Sequence, residues 1–182
     1  MSRVFSQVSS RQQVRVYSVT LSKLYRRAKR DTKCMTIQEL GLTRNLRVVE
    51  EAWVEALTEK SIEEFLKKHS EDVVVYDPTL PGPLKGQSAL RELVEGLYRM
   101  FPDYQVKKVR SFGQDEWVCL EAEETGTMKG SLHGPGGRTI PPTNKNIKIQ
   151  STFVCKVLGW KISEIRVYFD VLGLMVQLGL GP

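Results

Sequence analysis

The hydrophobic repeat of this chain changes period near Pro102, and that change limits the folds open to it. Before it, apolar residues recur mainly every three or four positions; after it they recur every second position. Leu46, Val49, Trp53, Ala56 and Leu57 mark one helical face from Leu46 to Lys60, with Glu50, Glu51, Glu55 and Glu59 opposite. Ser61-Ile62-Glu63-Glu64 has the spacing of a capping box and predicts a second, short helix through Lys68. Val73–Tyr76 is a β-branched run closed by Asp77-Pro78, a strand followed by a turn, and Pro78–Gly86 must be loop. Ser88 is the expected cap of a third helix that buries Leu90, Leu93, Val94, Leu97 and Met100, and Phe101-Pro102-Asp103 stops it.

Everything after Tyr104 reads as strand. Tyr104–Phe112, Trp117–Met128 and Trp160–Asp170 are candidates, with turns at Gly113–Asp115 and Leu158-Gly159. The clearest is Ile147–Val157, where Ile147, Ile149, Ser151, Phe153 and Cys155 alternate with polar residues, the pattern of a half-buried strand. An apolar stretch, Val171–Leu180, closes the chain. Three helices followed by antiparallel strands imply an α+β fold with helices on one face of a curved sheet. The segment Gly130–Asn146, rich in Gly and Pro, is too long for a hairpin turn and is expected to be a lid or a mobile loop.

Charge separates two parts. The net charge of +6 suggests a nucleic-acid binder, but residues 1–34 hold nine Lys or Arg against Asp31 alone. Residues 35–182 carry 18 basic and 20 acidic side chains, so no nucleic-acid binding is expected of them. The extension 1–34 is rich in Ser and Arg. It fits an organellar transit peptide, an upstream read-through before a start at Met35, or a basic arm contacting nucleic acid or membrane. We treat it as outside the fold of a 35–182 domain, expected in the cytoplasm, or in a mitochondrion or plastid if the extension is a transit peptide. No apolar run reaches the roughly 20 residues of a membrane span. Cys34, Cys119 and Cys155 form no CxxC pair, which argues for a reducing compartment, with Cys119 and Cys155 expected as buried thiols. With only His69 and His133, no metal cluster has recognisable spacing.

Several pieces, weak singly, are specific in their order. They are Tyr76-Asp77-Pro78 and Gly86, Phe101–Tyr104, Glu124–Thr127, Arg138–Pro142, Lys161–Glu164, and Asp170 with Leu174–Gly179. Over residues 42–180 the chain resembles the SnoaL-like polyketide cyclase family, within the nuclear transport factor 2-like (ketosteroid isomerase-like) superfamily. The resemblance implies a cone-shaped curved antiparallel sheet packed against three N-terminal helices, an enclosed apolar pocket, and often a homodimer formed through the sheet.

Within that resemblance Asp170 corresponds to the aspartate that moves protons during ring closure. Alternation along Trp160–Asp170 puts Tyr168 and Asp170 on one face, so both are candidate catalytic residues; Asp170 could equally cap the turn that follows. A His that such cyclases often carry on the neighbouring strand has no counterpart in Ile147–Val157, though His133 could enter from the long loop. Asp77 is either a second pocket carboxylate or the start of a turn. Trp53, Tyr76, Trp117 and Phe153 are candidate ligand contacts in a hollow fold, or core residues. Glu121, Glu123 and Glu124 form a charge run in which Glu121 or Glu123, in phase with Trp117 and Cys119, could look inward. The complementary set Val118, Leu120, Val154 and Val167 would then lie on the outer face and need a partner.

The expected function is cofactor-independent acid/base chemistry on a small apolar carbonyl compound, an aldol cyclisation or a double-bond isomerisation. The alternative is a non-catalytic module of the same fold that binds a small molecule or a partner.

Overall fold

The fold is that of a computed structural model, which describes residues 36–133 and 139–181. The extension 1–34, Cys34 and the centre of the long loop fall outside those residues.

Helix α1 (Ile37–Glu50) continues directly into a π-helical segment, Glu51–Ala56, in which Ala52, Trp53 and Ala56 are buried. The helix begins well before Leu46 because its first turns are anchored by polar contacts that leave no hydrophobic period. Gln38 donates to the Asp115 carboxylate at 2.9 Å, and Asn45 to the Asp115 carbonyl at 3.0 Å. Helix α2 (Ile62–Lys67) follows. Ser61 stands at its N-cap without a side-chain bond, and Glu64 pairs with Lys67 at 2.6 Å, so the expected capping box does not form.

Strand β1 (His69–Tyr76) pairs with the short edge strand β2 (Leu84–Lys85). Helix α3 (Gln87–Met100) starts after Gly86, not Ser88. Gly86 sits at φ +85° and donates its N–H to the Val73 carbonyl at 2.7 Å, a backbone geometry that glycine adopts without steric cost. Strands β3 (Gln105–Gln114) and β4 (Trp117–Thr127) form a hairpin. The long connection contains a two-residue ribbon, β5 (Leu132–His133) with β6 (Thr139–Ile140). Its N-terminal stem is pinned to the end of α3, where Gly130 N–H bonds the Met100 carbonyl at 3.1 Å. A Cβ at Gly130 would lie 2.0 Å from the Arg99 carbonyl oxygen, so only glycine fits there. Strands β7 (Asn146–Leu158) and β8 (Lys161–Phe169) complete the sheet, and Val171–Gln177 is a fourth helix, α4.

The six-stranded sheet has the order β2-β1-β8-β7-β4-β3, curved and unclosed. Its fold is the α+β, nuclear transport factor 2-like cone expected from the sequence, but only two helices precede β1, and the third lies between β2 and β3. One pairing differs from the antiparallel rule. β1 and β8 run parallel, with Val75 opposite Ile165 and Tyr76 opposite Arg166.

The faces of two strands differ from the expectation. On β4, Val118, Leu120 and Ala122 are fully buried, while Trp117 and Cys119 lie on the other side. On β8, the register slips between Lys156 and Val157, so that Ser163 is bulged out of the pairing. A bulge inverts every later side chain. Ile162 faces the core, but so do Ile165 and Val167, while Tyr168 is 55% exposed. Of the residues expected to need a partner on the outer face, Val118, Leu120 and Val167 are core, and only Val154 is turned outward. Cys155 is a buried thiol as expected, but Cys119 is half-buried on the outer face.

Candidate active site

The inner faces of β4 and β7 meet in register: Leu120 opposes Phe153 and Ala122 opposes Ser151. Continuing that phase one step along β4 brings Glu124 inside, where it is 8% exposed. Among the described residues it is the only buried carboxylate. Burying a charge without a partner is costly, so such a group is either neutral or held by donors. The Tyr104 hydroxyl donates to Glu124 Oε2, and its ring is 2% exposed.

The turn Phe101–Tyr104 places that phenol. The Asp103 carboxylate accepts from Thr127 N–H at 2.7 Å and from Thr127 Oγ1 at 2.6 Å, which ties the start of β3 to the end of β4. Both ends of the Tyr104–Glu124 bond are therefore fixed by one clamp. Ser151, 3% exposed, carries a hydroxyl without a hydrogen bond of ordinary geometry, although it lies near enough to Glu124 to favour the carboxylate form slightly.

Burial pushes the Glu124 carboxyl above the usual range for glutamate, and the charge of Asp77 adds to that. The Tyr104 and Ser151 hydroxyls oppose the shift. Burial, then the Glu124 charge, hold the Tyr104 phenol well above its ordinary value. Both groups therefore hold their protons more tightly than they would in water, the kind of perturbation that buried acid/base groups show.

The described residues singled out from sequence divide among four places. Trp53 and Phe153 stack in the core, ring centres 4.4 Å apart, with Phe65 5.2 Å from Trp53. Tyr76, Asp77 and Tyr168 gather at a groove beyond the end of β1. There Asp77 is half-buried and accepts from Thr79 N–H at 2.8 Å, the turn reading of that residue. Trp117 lies apart on the outer face, with the Lys156 ammonium 5.8 Å from its ring centre. The side chain of His133 falls outside the described residues. Asp170 is exposed and caps α4, accepting from Gly173 N–H at 2.8 Å. Neither Tyr168 nor Asp170 faces the apolar interior. The missed residue, Glu124, had a legible signal: it falls in phase with Val118, Leu120 and Ala122, an acidic residue on the apolar side of a strand.

A family model of SnoaL-like polyketide cyclases matches residues 47–178. The chain belongs to that family. Solved structures agree on the fold. AclR of Streptomyces galilaeus, a candidate hydroxylase, is 21% identical, with a TM-score of 0.66 over 78% of this chain and 88% of that one. A candidate SnoaL-like polyketide cyclase from Jannaschia sp. CCS1 is 16% identical, with a TM-score of 0.66 over 78% of this chain and 96% of its own. A nuclear transport factor 2-like protein from Burkholderia xenovorans LB400 is 21% identical, with a TM-score of 0.59 over 75% and 97%. No curated protein matches the sequence. No helix among the described residues is long and apolar enough to cross a membrane.

Proposed function

We propose that this SnoaL-like domain catalyses acid/base chemistry, without a cofactor, on a small apolar carbonyl compound, through Glu124 and Tyr104. The observation that carries the reading is the buried Glu124 carboxyl bonded to the buried Tyr104 phenol. A dry carboxylate is a stronger base than one in water, and a neighbouring phenol is a donor for oxygen. In the ionised state Glu124 removes a proton α to the carbonyl. The C–H electron pair becomes the enolate double bond, and charge collects on the carbonyl oxygen. As Glu124 takes up the proton, the Tyr104 hydroxyl is released from it and donates to that oxygen, helped by the hydroxyl of Ser151. Return of the proton at another carbon is an isomerisation; attack of the enolate carbon on a second carbonyl is an aldol closure. Ketosteroid isomerase, with an Asp base and a pair of oxyanion donors, works on the same logic.

A non-catalytic binding or interaction module of the same fold is the second reading, and the packing of the Trp53, Phe65 and Phe153 rings against one another in the core favours the interaction form. A homodimer through the sheet, which family membership implies, would cover Trp117, Cys119 and Val154. Light scattering at tens of micromolar tests that assembly.

The catalytic reading is tested with any small molecule that co-purifies, identified by mass spectrometry, and with a β,γ-unsaturated cyclic ketone whose conjugation is read by ultraviolet absorbance. Glu124→Gln should lower turnover about 100- to 10,000-fold, the usual worth of general acid–base catalysis. Undiminished turnover in that variant would sink the mechanism and leave the binding module.

A further inference from the structure

The groove beyond β1 supports an inference that goes beyond the acid/base reading and does not depend on it. β1 stops at Tyr76, paired with Arg166, whereas β8 runs on to Phe169. The chain then leaves through Asp77-Pro78 and returns through Pro83, so the end of β8 borders a groove of about 320 Å³. That volume lies within the range of small-molecule sites, roughly 300–1,000 Å³. Prolines fix the backbone of both walls of the departing loop, so the groove is largely preformed.

Its chemistry is specific. Tyr76 and Tyr168 present rings that are 39% and 55% exposed. Arg166 stands between them on β8, its guanidinium carbon 4.7 Å from the centre of the Tyr76 ring. Its Nε donates to Glu164 at 2.7 Å. A guanidinium has five N–H donors; one goes to Glu164 and the Tyr168 hydroxyl oxygen accepts another, which leaves further N–H groups to be directed at a ligand. Asp77, which follows Tyr76 and also lines the groove, is an acceptor already held in place by Thr79. A cation flanked by aromatic rings and a separate acceptor in one groove suit a flat ligand with an acidic group and a donor group.

We propose that this groove binds a planar aromatic carboxylate, its acid on the terminal N–H groups of Arg166 and a hydroxyl directed at Asp77. The carboxylate takes the guanidinium side because Asp77 repels it at the other. Tyr76 and Tyr168 flank the ring, and Glu164 tempers the affinity by competing for the guanidinium.

The probe is 6-hydroxy-2-naphthoate, with 2-naphthol as its acid-free counterpart, titrated by fluorescence into the full chain. The naphthoate should bind saturably and at least about tenfold more tightly than the naphthol, as expected for a hydrogen-bonded charge pair. Arg166→Gln should remove that preference without changing naphthol binding or the melting temperature. Glu164→Gln should tighten the naphthoate, and Glu124→Gln should leave it unchanged. No saturation up to about 1 mM, equal affinity for the two probes, or full naphthoate affinity in Arg166→Gln would overturn the proposal. A Glu124→Gln loss equal to that of Arg166→Gln would also overturn it, by moving the probe to the interior.

Discussion

Acidification below pH 6.5 should destabilise this domain through His69 before its carboxyls titrate. It opens β1 and is 1% exposed, with its ring 4.4 Å from that of Phe65 and 6.2 Å from that of Trp53. Nδ1 lies 2.7 Å from the Phe65 carbonyl oxygen, so the proton belongs on Nδ1 and that nitrogen donates. Nε2 has no partner. Adding a second proton would place a charge and an unmet donor among aromatic rings, and burial pushes the His69 pKa down from 6.5 to about 4. The charge of Lys161 lowers it further, while the bond to Phe65 opposes the shift.

For a base whose folded-state pKa is depressed, the unfolded chain takes up the proton first. The folded state is therefore unpenalised above pH 6.5 and loses stability as the pH falls from there towards about 4. At 1.36 kcal/mol per pKa unit, the full loss is about 3 kcal/mol, of which about 2 kcal/mol has gone by pH 5. Against a total of roughly 5–15 kcal/mol for a domain, that is a large fraction. Urea unfolding at pH 7.5, 6 and 5 of the parent and of His69→Gln checks it. The difference between their pH slopes isolates His69, since the shifted carboxyls are common to both. Histidine ring resonances followed by NMR give an independent reading, because the chain has only His69 and His133. Two histidines that both titrate near 6.5, or an unchanged acid loss in His69→Gln, would refute the argument.

Three further outcomes follow from the same structure. Glu124 has the opposite sign: its raised pKa means that the folded state loses stability as pH rises above the unfolded value of 4.5. Glu124→Gln should therefore gain on the parent in urea melts as pH is raised from about 4 to 8; a constant difference would count against a buried, protonated carboxyl. Asp170→Asn should leave turnover intact and change stability by less than about 1 kcal/mol, because Asn caps a helix almost as well as Asp; a catalytic loss would return the chemistry to Asp170. Residues 35–182, made without the extension, should give a soluble protein with a cooperative thermal transition, since residues from Ile37 onward form a compact unit by themselves.

What could be read from sequence was what depends on local period. The helices that bury Trp53 and Leu90 and the strand from Ile147 to Val157 lie where apolar spacing put them. The resemblance to the family correctly implied the fold because the order of these elements is specific even when each is common. Signals that rest on one polar residue fared worse. Ser61 and Ser88 have the chemistry of caps but make no capping bond: Ser61 stands at its N-cap without a side-chain bond, and the third helix already begins at Gln87, which puts Ser88 inside it.

Which side chains face inward turned on a single bulge and a single choice of phase. Alternation is a relative statement: it says that Tyr168 and Asp170 are equivalent, not which side of the sheet they take. From Ile162, which is core, strict alternation carries Tyr168 inward; the extra residue at Ser163 carries it outward. Nothing in Lys161–Glu164 announces a bulge, because Ser163 is small, polar and tolerated on either face. β4 lacks any such insertion, and its phase was open to decision. Val118, Leu120 and Ala122 are fully buried as a set, whereas Trp117 and Cys119 share their face of the strand with Glu121 and Glu123. Choosing the phase by the whole set rather than by the indole ring brings Glu124 inside. Once it is inside, a donor is required, and the Phe101–Tyr104 turn supplies Tyr104. Glu124 is thus the one carboxylate among the described residues that an apolar register carries inside, whereas Asp170, the residue that family likeness favours, caps α4.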